Sequence, residues 1–440
     1  MIRATVVAAV ALATALAVAA FGRDDERAIR SASPVNLPWC SSPVYGGEGR
    51  PDVLIALGTS LQGRAAEYGV QDSQALKLVL AERGWRAGNL SVGLQICDEM
   101  TASRGLSSPS KCRRNARALA RNRSVLGVVG PKHSTCALEM LPILNQAAGG
   151  PLVLIGTSST YLGLTRAGPA SVGGGPEANF PSGQRSFVRV LPADDVQGAA
   201  GAVFAKRQGA RSVFVLDDCD CVYGQGVATA FRTAAERIGL RVAGTAGWGP
   251  DPSGYRGLAE WIRDTGADAV YLGGYLENNG IRLISELRAI LGPRVALIAS
   301  DGFASPAAIV EGAGAAAEGL AVTITALPKD DLPAAGREFA DRFEERYLSR
   351  PRTFSMQTAQ AAQILLDAIA GSNGSRTDVT KKVLGAHVEG GLLGDFEFDR
   401  YGDTTLNATG VYRIEEGRMR FETTISSAAA RLARRSGGPR

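Results

Sequence analysis

From residue 52 onward the chain alternates short, unbroken apolar runs with amphipathic stretches at helical spacing, and this rhythm constrains the fold more than any other feature. Residues 52–57 form the first buried-strand run, and Leu76, Val79 and Leu80 give the segment after it one apolar helical face. Strand-like runs recur at 90–97, 124–129 and 152–156, with an Arg-rich helix predicted over 112–122. After a Gly/Pro-rich excursion at 168–184 the pattern restarts. A strand is predicted at 212–216, then a helix at 225–238 with Val227, Phe231, Ala234 and Ile238 on one face. Further pairs follow at 268–272 and 279–291, at 294–299 and 306–312, and at 319–324 and 333–347. Continuous apolar strands separated by helices predict parallel sheets covered on both faces. Two such series, broken by an irregular segment, predict an α/β protein of two doubly wound, Rossmann-like lobes. The length of 440 residues agrees, because one hydrophobic core rarely serves so long a chain.

Doubly wound sheets bind ligands beyond the carboxyl ends of their strands, so function is sought in the loops there. After the strand at 124–129 comes Gly130-Pro131-Lys132-His133-Ser134-Thr135-Cys136, which enters a helix. Hydroxyl residues at a helix start present backbone N–H groups and side-chain donors, a seat for a carboxylate. The next strand ends in Thr157-Ser158-Ser159-Thr160, again a run of hydroxyls. In the second series the strand ends are followed by Asp217-Asp218 with Tyr223, by Gly273-Gly274-Tyr275, and by Ser300-Asp301-Gly302. Singly, each reads as a helix cap or a turn. Together they place hydroxyls, aromatics and an acid around an interlobe cleft, which is chemistry for holding a zwitterion.

Composition narrows the classes. An apolar share of 45% with 21% charged residues excludes a disordered chain and a polytopic membrane protein. The net charge of +5 comes without a dense basic stripe, so no nucleic-acid partner is expected. Only His133 and His387 are present, which excludes a three-histidine metal site, and no cofactor is expected. Met1-Ile2-Arg3, an uncharged Ala-rich run to Gly22 and the small residues Ala17-Val18-Ala19 describe a secretory signal peptide over 1–22. A retained membrane anchor is the alternative, and the weakly apolar alanines favour cleavage. No lipid-attachment cysteine lies near the expected cut. An extracytoplasmic location suits six cysteines. Cys40, Cys97, Cys112 and Cys136 are expected in structural bridges of open pairing, and the role of Cys219 and Cys221 stays open. Residues 24–49 read as loop. Residues 425–440, with Arg431, Arg434, Arg435 and Arg440, read as a disordered basic tail.

At this point the sequence resembles the type I periplasmic solute-binding proteins, the Leu/Ile/Val-binding branch that serves ABC importers. The likeness covers roughly residues 52–423. It is carried by Phe187-Val188-Arg189-Val190 with Asp194-Asp195-Val196-Gln197-Gly198, by Leu216-Asp217-Asp218 with Tyr223-Gly224, by Tyr271-Leu272-Gly273-Gly274-Tyr275, by Ser300-Asp301-Gly302 and by Gly394-Asp395-Phe396-Glu397 with Gly402-Asp403. The resemblance implies two lobes joined by a three-stranded hinge, one lobe over 50–190 and 327–387 and the other over 191–326 and 388–424. It implies capture of an amino acid or similar small zwitterion, and delivery by a monomer to an ABC-transporter permease. For the site it implies Ser134, Ser158, Ser159 and Thr160 around the carboxylate, Asp301 on the ammonium, and Tyr68, Tyr223 and Tyr275 as aromatic walls. Lys132 and His133 depart from the small or apolar residues common beside that serine. They hint at a polar or acidic ligand side chain, although a solvent-facing Lys132 is the simpler expectation.

Two rivals remain. An enzyme is disfavoured, because no phosphate loop, no zinc-protease motif, no serine elbow and no complete dinucleotide fingerprint is present. A sensory or orphan binding protein of the same fold is the alternative that the residues leave open.

Overall fold

All seven residues of β1 (Val53–Thr59) are buried, as expected of an unbroken apolar strand covered on both faces. The computed structural model describes residues 31–101, 105–218, 221–249 and 253–434. The expected signal peptide therefore lies outside the described residues, as does Cys219. Around β1 the first sheet is completed by β2 (Arg86–Ala87), β3 (Leu90–Asp98), β4 (Val125–Val129), β5 (Leu154–Gly156) and β6 (Phe187–Arg189), in the order β2-β3-β1-β4-β5-β6. All but β2 are parallel, and Ile55 pairs with Leu94 on one side and Gly127 on the other.

The second sheet repeats the plan with β7 (Ser212–Asp218), β8 (Arg241–Trp248), β9 (Ala269–Gly273), β10 (Ala296–Ala299) and β11 (Ala321–Ile324). A separate short pair, β12 (His387–Val388) and β13 (Phe396–Glu397), precedes the hairpin of β14 (Thr409–Glu415) and β15 (Arg418–Ile425), which extends this sheet antiparallel beyond β11. The order is β15-β14-β11-β10-β9-β7-β8. β1 lies between β3 and β4, and β7 between β8 and β9, so in each sheet the first parallel strand sits between the next two, the doubly wound arrangement with a switch point beside the first strand.

Helices α1 (Ala66–Glu82), α2 (Pro109–Arg121) and α3 (Ser134–Leu144) connect the first sheet. The second is connected by α4 (Asp194–Arg207), α5 (Val222–Arg237), α6 (Arg256–Asp264), α7 (Gly280–Leu291) and α8 (Pro306–Ala313). The chain then returns to the first sheet with α9 (Ala334–Tyr347), α10 (Ser355–Ala370) and α11 (Arg376–Leu384), and ends in α12 (Ser427–Arg434). Local chemistry sets several of these starts. Pro109 opens α2 behind Ser108, whose Oγ accepts from the Lys111 amide at 3.4 Å. In α4 two acids occupy the first turn and two bases the last, matching the helix dipole.

The pleat divides each strand between two cores. Val53, Ile55 and Leu57 join one cluster with α9 and α10, while Leu54 and Ala56 face another with α2 and α3. Phe214 and Leu216 of β7 split from Val213 and Val215 in the same way. The chain crosses between the lobes after β6, after β11 and again between β13 and β14, which supplies the three connections of the hinge. Leu392, Phe396 and Phe398 pack in the first lobe's core, although the expected boundary at 388 would assign them to the second.

A buried charge network sits at these crossings. Arg189, at the end of β6, is fully buried and donates from Nε to Asp403 Oδ1 at 2.7 Å. Arg166 pairs with Asp403 Oδ2 at 2.6 Å and with Asp195 Oδ2 at 3.4 Å. Burial alone would raise the Asp403 carboxyl, but the two guanidiniums outweigh it and hold it below its ordinary value.

The expected disordered tail is corrected in its first part. Residue 425 closes β15, and α12 follows, with Ala429 buried and Leu432 packed against the α4–α5 core. The many arginines concealed a short apolar face at helical spacing. Strand β8 was not anticipated, because it is an edge strand, alternating and half exposed, with two glycines. The cysteines pair as Cys40–Cys97 and Cys112–Cys136. The first pins the loop-like residues before β1 along the open edge of β3, where Val44 and Leu94 exchange backbone hydrogen bonds at 2.7 and 2.8 Å. No helix among the described residues is long and apolar enough to cross a membrane.

Candidate functional site

The loops after β4 and β5 of the first sheet meet those after β7, β9 and β10 of the second around one cavity of about 60 Å3. From the first lobe Tyr68, Lys132, His133, Ser158 and Phe354 line it. Tyr223, Tyr275, Glu277 and Asp301 line it from the second.

The first-lobe wall begins at Gly130, with φ of +98°. A Cβ there would stand 2.2 Å from the Gly58 carbonyl oxygen, so only glycine lets this loop pass the end of β1. The next amides, of Lys132 and His133, both donate to Glu99 Oε1, at 2.7 and 3.2 Å. Burial pushes the Glu99 carboxyl up to about 8, with the two amides and Lys132 pulling the other way. Two amides that lead into this helix are thus taken by the protein's own acid and are not open to a ligand carboxylate.

The predicted hydroxyls divide. Ser134 opens α3, fully buried, and its Oγ accepts from the Tyr161 amide at 3.1 Å. Ser159 Oγ donates to the Pro131 carbonyl at 2.9 Å, and Thr160 is enclosed beside Asp194, whose amide donates to its carbonyl at 2.9 Å. These three lie behind the wall. Ser158 is on it, with Oγ donating to the Lys132 carbonyl at 2.8 Å. The structure therefore brings Tyr68, Ser158, Tyr223, Tyr275 and Asp301 to one cavity, and places Ser134, Ser159 and Thr160 in its supporting loops.

Lys132 does not face solvent. Its side chain is 9% exposed, with Nζ 3.3 Å from Asp72 Oδ2 and over the rings of Tyr68 and Phe354 at 5.4 and 5.0 Å. A carboxylate from α1 and two aromatic faces replace the water a surface lysine would have. Beside it His133 stacks on Tyr275 at 4.5 Å, and Tyr275 stacks on Tyr223 at 4.7 Å, so an aromatic ladder runs from one lobe to the other. Burial, with Lys132 adding to it, lowers His133 to about 3, which leaves the imidazole neutral at physiological pH.

On the second lobe Asp218 sets the geometry. Its Oδ2 accepts from the Tyr275 amide and from Asn278 Nδ2, both at 2.9 Å, and burial raises it to about 7. Asp301 accepts from Tyr223 Oη at 2.5 Å and from Thr325 Oγ1 at 3.1 Å. Burial raises its pKa, and the hydrogen bond from Tyr223 is the largest opposing influence. Across the cleft Tyr68 Oη donates to the Ala304 carbonyl at 2.6 Å, which ties the lobes together. The Gly/Pro-rich excursion at 168–184 does not line the cavity: the Gly173 amide donates to Tyr161 Oη at 2.7 Å and packs near Val222.

Glu99, Phe354, Glu277 and the anchoring role of Asp218 were not anticipated. Glu99 and Glu277 each follow a strand's carboxyl end, so their position was a usable signal, whereas Phe354 reaches the cavity from a distant loop at φ of +74°. No group of three or more His, Cys, Asp or Glu among the described residues could hold a metal ion. Cys221 Sγ donates to Asp218 Oδ1 at 3.2 Å, and burial pushes its thiol upward, away from a reactive thiolate.

Known proteins agree with this architecture. A leucine-binding protein of Thermotoga maritima MSB8 superposes with a TM-score of 0.72 at 23% identity, over 85% of this chain and 99% of that one. Leu/Ile/Val-binding protein homolog 1 of Brucella abortus (strain 2308) is 25% identical over 381 residues, 85% of this chain and 93% of its own length. A leucine-, isoleucine-, valine-, threonine- and alanine-binding protein of Pseudomonas aeruginosa is 25% identical over 252 residues, 56% of this chain and 66% of its own. The family model described as periplasmic binding protein matches residues 55–418, which bears out the reading that the chain is a binding protein and not an enzyme. Matching over nearly all of both lobes, the chain belongs to the periplasmic binding protein family.

Proposed function

We propose that the protein is an extracytoplasmic solute receptor that captures an amino acid or a similar small zwitterion between its lobes and, as a monomer, hands it to the permease of an ABC importer. The observation that carries this reading is the interlobe cavity, in which an acid from one lobe, Asp301, faces a cation from the other, Lys132. The relatives named for Leu/Ile/Val binding support the solute class, and the two disulfides support a location outside the cytoplasm.

The cavity of about 60 Å3 is spanned by contacts between the two lobes. An amino acid therefore enters only when the lobes part. Parting breaks the Tyr68–Ala304 hydrogen bond and the His133–Tyr275 stack, and closure over a ligand remakes them. Asp301, already oriented by Tyr223 and Thr325, takes the ammonium, and Tyr68, Tyr223, Tyr275 and Ser158 close around the rest. Ser134, Ser159 and Thr160 hold the two first-lobe loops in position.

A thermal-shift screen of the mature chain against the common amino acids, their amides and small peptides tests the reading. A ligand at about a hundred times its Kd stabilises by about 2.7 kcal/mol, a readable rise in Tm. A hit among amino acids supports the receptor. Silence from a folded protein overturns the amino-acid assignment and favours an orphan or sensory role.

A further inference from the structure

We infer that Lys132 is the anion anchor of the cavity, so that the captured solute must present a carboxylate or an equivalent anionic group to the first lobe; this rests on the receptor reading above. Several donors of the first-lobe wall are already taken. The amides of Lys132 and His133 are both committed to Glu99, Ser158 Oγ donates to the Lys132 carbonyl, and Ser159 Oγ donates to the Pro131 carbonyl. The loop that should cradle an anion with its backbone has spent those groups inside the protein.

The charged donor left on this wall is an ammonium. Lys132 is the one cation among the described residues that line the cavity. Its Nζ carries three N–H donors. Asp72 Oδ2 at 3.3 Å receives one of them, while Tyr68 and Phe354 supply ring faces that accept no strong hydrogen bond. Asp72 is itself fixed, accepting from Thr59 Oγ1 at 3.1 Å and Ser355 Oγ at 3.4 Å, and so acts as a positioning residue that holds the ammonium at the cavity wall. Lysines are rarely buried unless paired, and this one, though paired with Asp72, also lines the cavity. Opposite stand Asp301 and Glu277. The cavity is therefore polarised across the cleft, positive on the first lobe and negative on the second, and a ligand with an anion at one end and an ammonium at the other fits that polarity.

The test is calorimetry on the mature full chain with the common L-amino acids and their α-carboxamides, which keep the ammonium and lose the anion. Wild type is expected to bind its best amino acid about 10- to 100-fold more tightly than the matching amide, the range of one charge-assisted hydrogen bond. Lys132→Met should weaken the amino acid by a similar factor, leave the amide nearly unchanged and so erase the preference, while Lys132→Arg keeps most of it. Because Lys132→Met leaves Asp72 unpaired, Lys132→Met with Asp72→Asn provides a neutral pair that keeps the test readable if the single variant fails to fold. Undiminished amino-acid affinity and preference in both variants overturns Lys132 as the anchor and leaves the receptor reading standing. Failure of folded wild type to bind any member of the panel overturns both.

Discussion

Tyr223 Oη donates to Asp301 Oδ1 at 2.5 Å, and the Gly302 amide donates back to the same Tyr223 oxygen at 3.1 Å. The two side chains come from loops after different strands, yet this short cycle fixes both before any ligand arrives. Asp301 uses its other oxygen to accept from Thr325, so the carboxylate is oriented but keeps lone pairs to spare. That is the state required of a group that is to meet an ammonium in a dry cleft.

Removing the phenol therefore shifts when the site works. The bond from Tyr223 favours the ionised form of Asp301, and burial opposes it. Tyr223→Phe should raise the Asp301 pKa further. Affinity for an amino acid is lost as pH falls through that pKa, because the protonated acid no longer pairs with the ammonium. Calorimetry on a descending pH series should show the loss beginning at higher pH in the variant, with about tenfold weaker binding at its best. Identical profiles would separate Tyr223 from the acid's ionisation.

Glu99 predicts a pH dependence of stability. Its folded pKa of about 8 lies above the ordinary 4.5, so the folded state holds a proton that the unfolded state releases. The stabilisation is fully present below about pH 4.5 and is lost as pH rises through 8. Glu99→Gln removes this dependence while keeping an acceptor for the Lys132 and His133 amides. Comparing wild type with the variant cancels other titrating groups such as Asp218. The Tm of wild type minus that of the variant should fall steadily from pH 5 to 8.5, and a flat difference would contradict the assignment.

At the hinge, Asp403 faces both Arg189 and Arg166 in a buried setting. Asp403→Ala leaves the buried Arg189 without its carboxylate and Arg166 with Asp195 alone, and should cost about 3–5 kcal/mol in urea unfolding. Arg189→Met combined with Asp403→Leu should cost less than the single change, because it leaves fewer charges unpaired. A single-variant loss within about 1 kcal/mol would mean that water reaches the pair.

The two doubly wound lobes were legible because their strands are buried on both faces and so read as unbroken apolar runs, as in β1 and β7. Tyr68, Ser158, Tyr223, Tyr275 and Asp301 could be placed near the cleft because each lies in a loop or first helical turn after a strand's carboxyl end. Strand β8 escaped because an edge strand needs one apolar face at most. Lys132 was misplaced for a different reason. Its burial depends on Asp72, 60 residues earlier, and on Phe354 from a late loop, and no local pattern joins the three. The capture of the Lys132 amide by Glu99, 33 residues away, was hidden in the same manner. Long-range side-chain pairing, more than backbone pattern, is what the linear chain conceals.

The most direct measurement is titration of wild type and Asp301→Ala with the amino acid that stabilises wild type best. The account predicts clear binding by wild type and a loss of several kcal/mol in the variant, about a thousandfold or more, because the ammonium is then buried without a partner. Equal affinity in the two proteins would show that the ammonium is held elsewhere, and would contradict the central assignment of the cleft.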